Sequence, residues 1–108
     1  MGTVKQLLWW LIAGSEGGFN RARILQTLHE KPCNANQLAE ILTLDYKTIR
    51  HHIEVLEKND AITSMGDKYA KMYFMSRTLE ENYGDFKEIW DRIGEKEVNR
   101  AKDKDVKR

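Results

Sequence analysis

The apolar positions in the first third of the chain recur at helical spacing and predict two helices. Residues 3–13 are apolar nearly all round, so the helix that they form must be covered by other parts of the protein. A glycine-rich break follows, and Asn20 is placed to cap a second helix that runs to Lys31. Pro32 ends this helix, because the residue before a proline is disfavoured in the helical conformation.

Two further helices are predicted on either side of a three-residue turn at residues 43–45. Asn34 is followed three residues later by Gln37, which is the spacing of a capping box. Asp45 closes the turn and can cap a helix over residues 46–59. Apolar residues at i, i+4 and i+7 turn one face of this helix inward, namely Ile49, Ile53 and Leu56.

After this helix the pattern changes from helical spacing to short alternating runs. Residues 61–65 and 69–75 are separated by a tight turn at residues 66–68, which predicts a β-hairpin. The predicted order is three helices, a turn, a fourth helix, a hairpin and a last helix. This is the layout of a winged helix-turn-helix, a mainly α fold with a small β-hairpin as its wing.

The same pattern divides the chain into four predicted segments. An N-terminal apolar helix (residues 1–16) precedes the winged helix-turn-helix (residues 17–77). A C-terminal helix (residues 78–100) is expected to open on a capping box formed by Thr78 and Glu81. The charged tail at residues 101–108 is expected to fray.

The composition limits the size and the class of the protein but does not indicate a function. A chain of 108 residues can bury one modest core, and its net charge of +1 does not by itself indicate a nucleic-acid partner. The single cysteine, Cys33, allows no internal disulfide and fits the reducing cytoplasm. The apolar run at residues 7–13 is far shorter than the roughly 20 residues of a membrane-spanning helix, so no membrane association is expected.

Charge is distributed locally in a way that favours DNA. A helix that reads the major groove buries one face and presents donors near its N-terminus. With Ile49 and Ile53 buried, Arg50 is expected to contact guanine and Lys47 a phosphate. The DNA-binding residues predicted on the reading helix and the wing are Tyr46, Lys47, Thr48, Arg50, His51, His52, Lys68 and Lys71.

The same basic residues are compatible with two alternatives to DNA binding. An ordinary solvated helix face would also be basic. For Arg21 and Arg23, this explanation is as good as a contact to the DNA backbone. A winged helix can also serve as a protein–protein module in a transcription or replication complex. We favour double-stranded DNA, because the capped helix before the reading helix and the hairpin after it complete a DNA-binding layout.

Catalytic and metal chemistry is poorly supported. The chain has no glycine-rich phosphate loop, no nucleophile elbow and no paired zinc motif, so we expect neither an enzyme nor a cofactor. His51 and His52 are adjacent and lie about 100° apart on a helix, so they cannot grip one ion together. Pro32 ends the helix between His29 and Cys33, so no metal site is expected there.

The stretch from Arg21 to Leu79 resembles the ArsR-like winged-helix regulators, particularly small archaeal ones. The resemblance is strongest from Thr48 to Leu56, where a threonine, an aliphatic residue, two polar residues, a histidine and a second aliphatic residue follow in the family's order. It implies a dimeric DNA-binding regulator. It also implies that His52 is wedged beside the reading helix, with Arg50 and His51 facing the bases. The cysteine motif of metal-sensing members is absent.

The two terminal helices carry apolar stripes that predict a homodimer. On the last helix, apolar residues from Leu79 onward recur at spacings of four, three, four and three, the rhythm of a helix seam. Two-fold pairing would place two reading helices on an inverted repeat. Packing of both stripes on their own domain is the alternative. The predicted interface residues are Leu7, Leu8, Trp9, Trp10, Leu11, Tyr83, Phe86, Trp90 and Ile93.

Overall fold

The computed structural model describes residues 3–14, 16–68 and 70–93. These residues form a mainly helical fold with one two-stranded antiparallel hairpin, as predicted. In chain order the elements are α1 (Val4–Leu8, continued by a π-helical turn at Trp9–Ala13), α2 (Gly18–Glu30), α3 (Ala35–Leu42), α4 (Tyr46–Lys58), β1 (Ile62–Met65), β2 (Met72–Met75), α5 (Arg77–Glu81) and α6 (residues 83–93).

The N-terminal helix is not α-helical throughout. Thr3 caps α1 by accepting a hydrogen bond from the backbone N–H of Gln6 at 3.1 Å. From Trp9 onward the chain follows the wider i to i+5 pattern, and the N–H of Gly14 donates to the carbonyl of Trp9 at 2.7 Å. A π-helical turn shifts the positions that follow it around the axis. Three residues of the N-terminal segment point into the core, namely Leu8, Leu11 and Ile12.

The start of α2 differs from the prediction. Asn20 is not the cap, because the helix already begins at Gly18 and its cap is Gly17, with φ +83°. Gly18 lies directly on the backbone of Ile12, and a Cβ at this position would overlap the Ile12 carbonyl oxygen. The close crossing of the N-terminal segment over α2 therefore sets where the helix begins, and the capping preference of Asn20 does not.

The helix-turn-helix unit follows the prediction closely. Asn34 and Gln37 form the expected capping box, with the N–H of Gln37 donating to Asn34 Oδ1 at 2.7 Å. Thr43 takes a left-handed conformation (φ 56°) that ends α3 and turns the chain. Asp45 then caps α4, accepting from the N–H of Lys47 at 3.2 Å.

The hairpin pairs Ile62 with Met75 and Met65 with Met72. Its second strand is shorter than the predicted run over residues 69–75. β2 also forms an isolated antiparallel bridge to the segment before α3, in which the N–H of Tyr73 donates to the carbonyl of Cys33 at 2.8 Å. The wing is therefore fixed by the backbone to the start of the helix-turn-helix unit.

The C-terminal helix is split. Ser76, rather than the predicted Thr78, caps α5 by accepting from the N–H of Leu79 at 3.3 Å. The α-helix stops at Glu81, and α6 begins after Asn82. The predicted continuation of this helix to residue 100 and the charged tail both lie outside the described residues.

Both terminal helices contribute to one core, which corrects part of the dimer prediction. Leu8, Leu11 and Phe86 are completely buried within this single chain, so they pack on their own domain. Ile93 is nearly buried, while Leu7, Tyr83 and Trp90 are half-buried against the same core. Of the nine predicted interface residues, Trp9 and Trp10 are exposed.

The close approach at Gly18 gives a direct test of the fold. We expect Gly18→Ala to lower the free energy of unfolding by about 1–3 kcal/mol or more, because the added methyl group meets rigid backbone. Gly84→Ala is the matched control, since nothing lies within 4 Å of a Cβ there. It should leave stability unchanged or raise it by up to about 1 kcal/mol. Urea unfolding measures both, and an unchanged midpoint for Gly18→Ala would contradict this packing.

Candidate nucleic-acid interface

Helix α4 has one buried face and one basic, exposed face. Ile49, Ile53 and Leu56 are completely buried, as predicted from their spacing. Lys47 and His51 are exposed one turn apart. The first turn of the helix carries no acidic residue, and the carboxylate of the capping residue before it partly offsets the positive helix end.

The N-terminus of α4 is held in place by its cap. Asp45 accepts from the N–H of Lys47, and it also accepts from the hydroxyl of Thr48 at 2.7 Å. The Thr48 hydroxyl bond is the main reason that the pKa of Asp45 is lowered, with the backbone N–H groups and Lys47 adding to it. Thr48 therefore helps to fix the start of the helix through its hydroxyl, and its contact with DNA stays a prediction.

A groove between α4 and the wing gathers predicted residues from both elements. Arg50 is half-buried, and its Nη1 donates to the phenol oxygen of Tyr73 at 2.7 Å. This bond is the main cause of the raised pKa of Arg50. We call this feature the basic groove, and the described residues that line it are Asn34, Ala35, Asn36, Tyr46, Arg50, Lys68, Lys71 and Tyr73.

Sequence reasoning missed four members of this groove. Tyr73, Asn34, Ala35 and Asn36 were not among the predicted contacts. The alternation of the second strand places Tyr73 on the same side as Lys71, but the pattern alone does not say which side faces the core. In the structure the ring of Tyr73 is buried and its hydroxyl reaches the groove.

His52 does not belong to the exposed face and is a correction to the predicted contacts. It is only 6% exposed, as the wedged position implied by the family resemblance would require. Its Nδ1 is buried without a hydrogen-bond partner. Burial first, and then the nearby charges of Arg21 and His51, lower the pKa of His52. The neutral imidazole is therefore the form that the folded protein favours.

Arg21 and Arg23 both donate hydrogen bonds to backbone carbonyls of the protein itself. The buried guanidinium of Arg21 donates from Nε to the carbonyl of Leu11 at 2.7 Å and from Nη2 to that of Glu16 at 3.2 Å. Arg23 donates from Nη2 to the carbonyl of Leu42 at 2.8 Å. Both side chains satisfy carbonyls near helix ends, and burial lowers the pKa of Arg21.

A second surface feature lies on the terminal helices. Trp9, Trp10 and Phe19 are 37%, 53% and 36% exposed. The ring of Phe19 contacts that of Trp90 at a centroid distance of 5.4 Å, and the guanidinium of Arg92 lies 5.9 Å from the ring of Trp9. We call Trp9, Trp10, Phe19 and Trp90 the aromatic face.

Among the described residues, no three His, Cys, Asp or Glu side chains come together in a group that could hold a metal ion. Over residues 3–14, 16–68 and 70–93, no helix combines the length and the apolar character needed to cross a membrane.

Comparison with known proteins supports the fold. A helix-turn-helix domain family model matches residues 20–64, which run from α2 into β1. The solved structure of S. aureus MepR bound to ethidium bromide is similar, with a TM-score of 0.54 and 15% sequence identity over 86% of this chain and 71% of that chain. At this identity the likeness shows the fold alone, and the predicted winged helix-turn-helix is confirmed. A search of the curated proteins gave no match.

The buried His52 predicts a pH-dependent stability. Because its pKa is lowered on folding, the unfolded chain binds more protons once the pH falls below about 6.5, the ordinary histidine value. Stability should be greatest above this pH and should fall below it by up to about 1.4 kcal/mol per pH unit, until the pKa of the folded state is passed.

Urea unfolding between about pH 7.5 and about pH 5 measures this dependence. His52→Gln should flatten it. His51→Gln removes only the smallest of the three causes of the lowered pKa, so it should keep most of the wild-type slope. A wild-type slope in His52→Gln would show that other groups cause the dependence.

Proposed function

We propose that this protein is a transcription regulator that binds double-stranded DNA in a sequence-specific manner, with α4 in the major groove and the β1–β2 hairpin as the wing. The observation that carries the proposal is the basic groove. It joins Tyr46 and Arg50 of α4 to Lys68 and Lys71 of the wing in one surface beside the exposed Lys47. A solvated helix face gives no reason for cations of two separate elements to converge.

The electrostatics support DNA over a protein partner. None of the described residues that line the basic groove is acidic. A surface of this kind attracts phosphates even though the whole chain has a net charge of only +1. A protein–protein module has no need of such a local excess of positive charge. Experiments on DNA binding therefore distinguish the two functions.

The finer assignment rests on the residue pattern. We place the chain with the ArsR-like regulators of small archaeal type, because the matched helix-turn-helix region at residues 20–64 contains the whole Thr48–Leu56 pattern. The chemistry supported is binding rather than catalysis. Since its ligand would be DNA and Cys33 is unpaired and buried, we propose that the protein acts in the cytoplasm.

Binding to DNA is tested first with duplexes selected from a random pool. We expect affinity to fall steeply as salt is raised, because bound lysine and arginine side chains release counterions from the phosphates. Lys47→Ala should weaken binding by roughly fivefold to tenfold, the order expected for one lost cationic contact. Fluorescence anisotropy measures both effects.

Lys5→Ala is the control for Lys47→Ala. Lys5 is also an exposed lysine, but it lies on α1 and pairs with Glu88 of the last helix at 3.5 Å. Its removal should not change affinity. Failure of the wild-type protein to bind any duplex at low salt would reject DNA binding and favour the protein–protein module.

We also propose that the protein is a homodimer that pairs through the aromatic face and binds an inverted repeat. Trp9 and Trp10 leave large apolar side chains partly exposed, and extended apolar surface often marks an interface. Tryptophan is enriched at the energetic centres of interfaces. A second copy fits the aromatic face because two-fold symmetry lets one surface serve both partners and presents two reading helices to the DNA.

The dimer is tested by placing a charge on the aromatic face. Trp10→Glu should shift sedimentation at tens of micromolar protein from dimer to monomer, because each carboxylate would be buried against the partner. Ile41→Glu is the matched control, since Ile41 is 48% exposed on α3, outside the aromatic face. Wild-type protein that sediments as a monomer would reject the proposal. Leu8 is unsuitable for this test, because its burial makes substitution a test of folding.

A further inference from the structure

The guanidinium of Arg50 is held by the wing. Its partner Tyr73 is 1% exposed, and the ring of that residue is part of the hydrophobic core. The backbone of Tyr73 is fixed as well, since its N–H and its carbonyl both bond to the backbone of Cys33, at 2.8 and 3.3 Å. A phenol that is anchored in this way sets the direction of the arginine that donates to it.

This direction is away from the outward face of α4. Arg50 follows Lys47 by three residues, which places it about 60° around the helix. His51, one turn after Lys47, stays exposed on the outward face, whereas Arg50 is half-buried beside the hairpin. When a helix lies in the major groove, its outward face meets the base edges. Its flank meets the sugar–phosphate wall of the groove.

The basic groove is chemically suited to a phosphate. An arginine has five N–H donors, and Tyr73 accepts from one of them, so Arg50 keeps donors for a bidentate contact. Lys68 and Lys71 add two cations, and the phenol of Tyr46 adds a hydroxyl donor. The side-chain amides of the groove supply further neutral donors.

We propose that the basic groove receives one phosphate of the DNA backbone, with Arg50 as its bidentate ligand and Tyr73 as the positioning residue. The inference rests on the proposed DNA-binding function and deepens it. It changes the role expected for Arg50 from a reader of guanine to a phosphate contact. Tyr73 acts through Arg50 and does not itself need to touch DNA.

The experiment is a double-mutant cycle on a duplex selected with the wild-type protein. Arg50→Ala should weaken binding to all sequences alike and reduce the slope of log affinity against log salt by about 1. Tyr73→Phe keeps the buried ring and removes the hydroxyl, so it should raise Kd by roughly threefold to tenfold. In the Arg50→Ala background, Tyr73→Phe should have no further effect on Kd.

A set of duplexes, each with one uncharged methylphosphonate, locates the phosphate. At one position per half-site the substitution should weaken wild-type binding and leave the binding of Arg50→Ala unchanged. Lys5→Ala removes a cation outside the groove and should respond to that duplex as the wild type does. Thermal unfolding of Tyr73→Phe checks that the variant is folded, so that a loss of affinity is not mistaken for a loss of fold.

Three results would overturn the inference. If Arg50→Ala flattens base preference at one position and keeps the wild-type salt slope, Arg50 reads a base. If Tyr73→Phe lowers the affinity of Arg50→Ala as much as that of the wild type, Tyr73 does not act through Arg50. Both results leave DNA binding intact. Absence of wild-type binding to any duplex would reject the proposed function, and the inference with it.

Discussion

Tyr73 joins the wing both to the reading helix and to the start of the helix-turn-helix unit. Its ring is buried in the core, its backbone bonds to that of Cys33 in both directions, and its hydroxyl accepts from Arg50 at 2.7 Å. A wing joined only by its turn could swing relative to α4. Because the ring, the backbone and the hydroxyl of Tyr73 are all held, Lys68 and Lys71 lie in the same groove as Arg50. The proposed DNA-binding surface depends on this connection.

The parts of the fold that the sequence predicts well are those set by neighbouring residues. The caps at Asn34 and Asp45 formed as expected, because a cap needs only a side-chain oxygen and an N–H two or three residues away. Asn20 failed as a cap because the start of α2 is set by Gly18 against the backbone of Ile12. This contact brings together two segments of the chain, and the residue spacing within either segment does not predict how they cross.

The candidate site divides in the same way. The exposed position of Lys47 follows from helical spacing alone, and so does the burial of the apolar stripe on α4. The environment of Arg50 could not be predicted, because its partner Tyr73 is 23 residues away and the strand register decides where the phenol points. Burial of Leu8 within its own chain was missed for a related reason, since an apolar stripe does not specify what covers it.

The central claim is that α4 and the wing together form the surface that contacts DNA. Titration of the isotopically labelled full chain with its selected duplex, followed by NMR, tests it most directly. Backbone amide shifts should change most over residues 46–51 and 66–68 and at Lys71, while the amides of α3 away from Asn36 and those of α5 change little. Shifts centred on the aromatic face, with the N-terminus of α4 unperturbed, would contradict this claim.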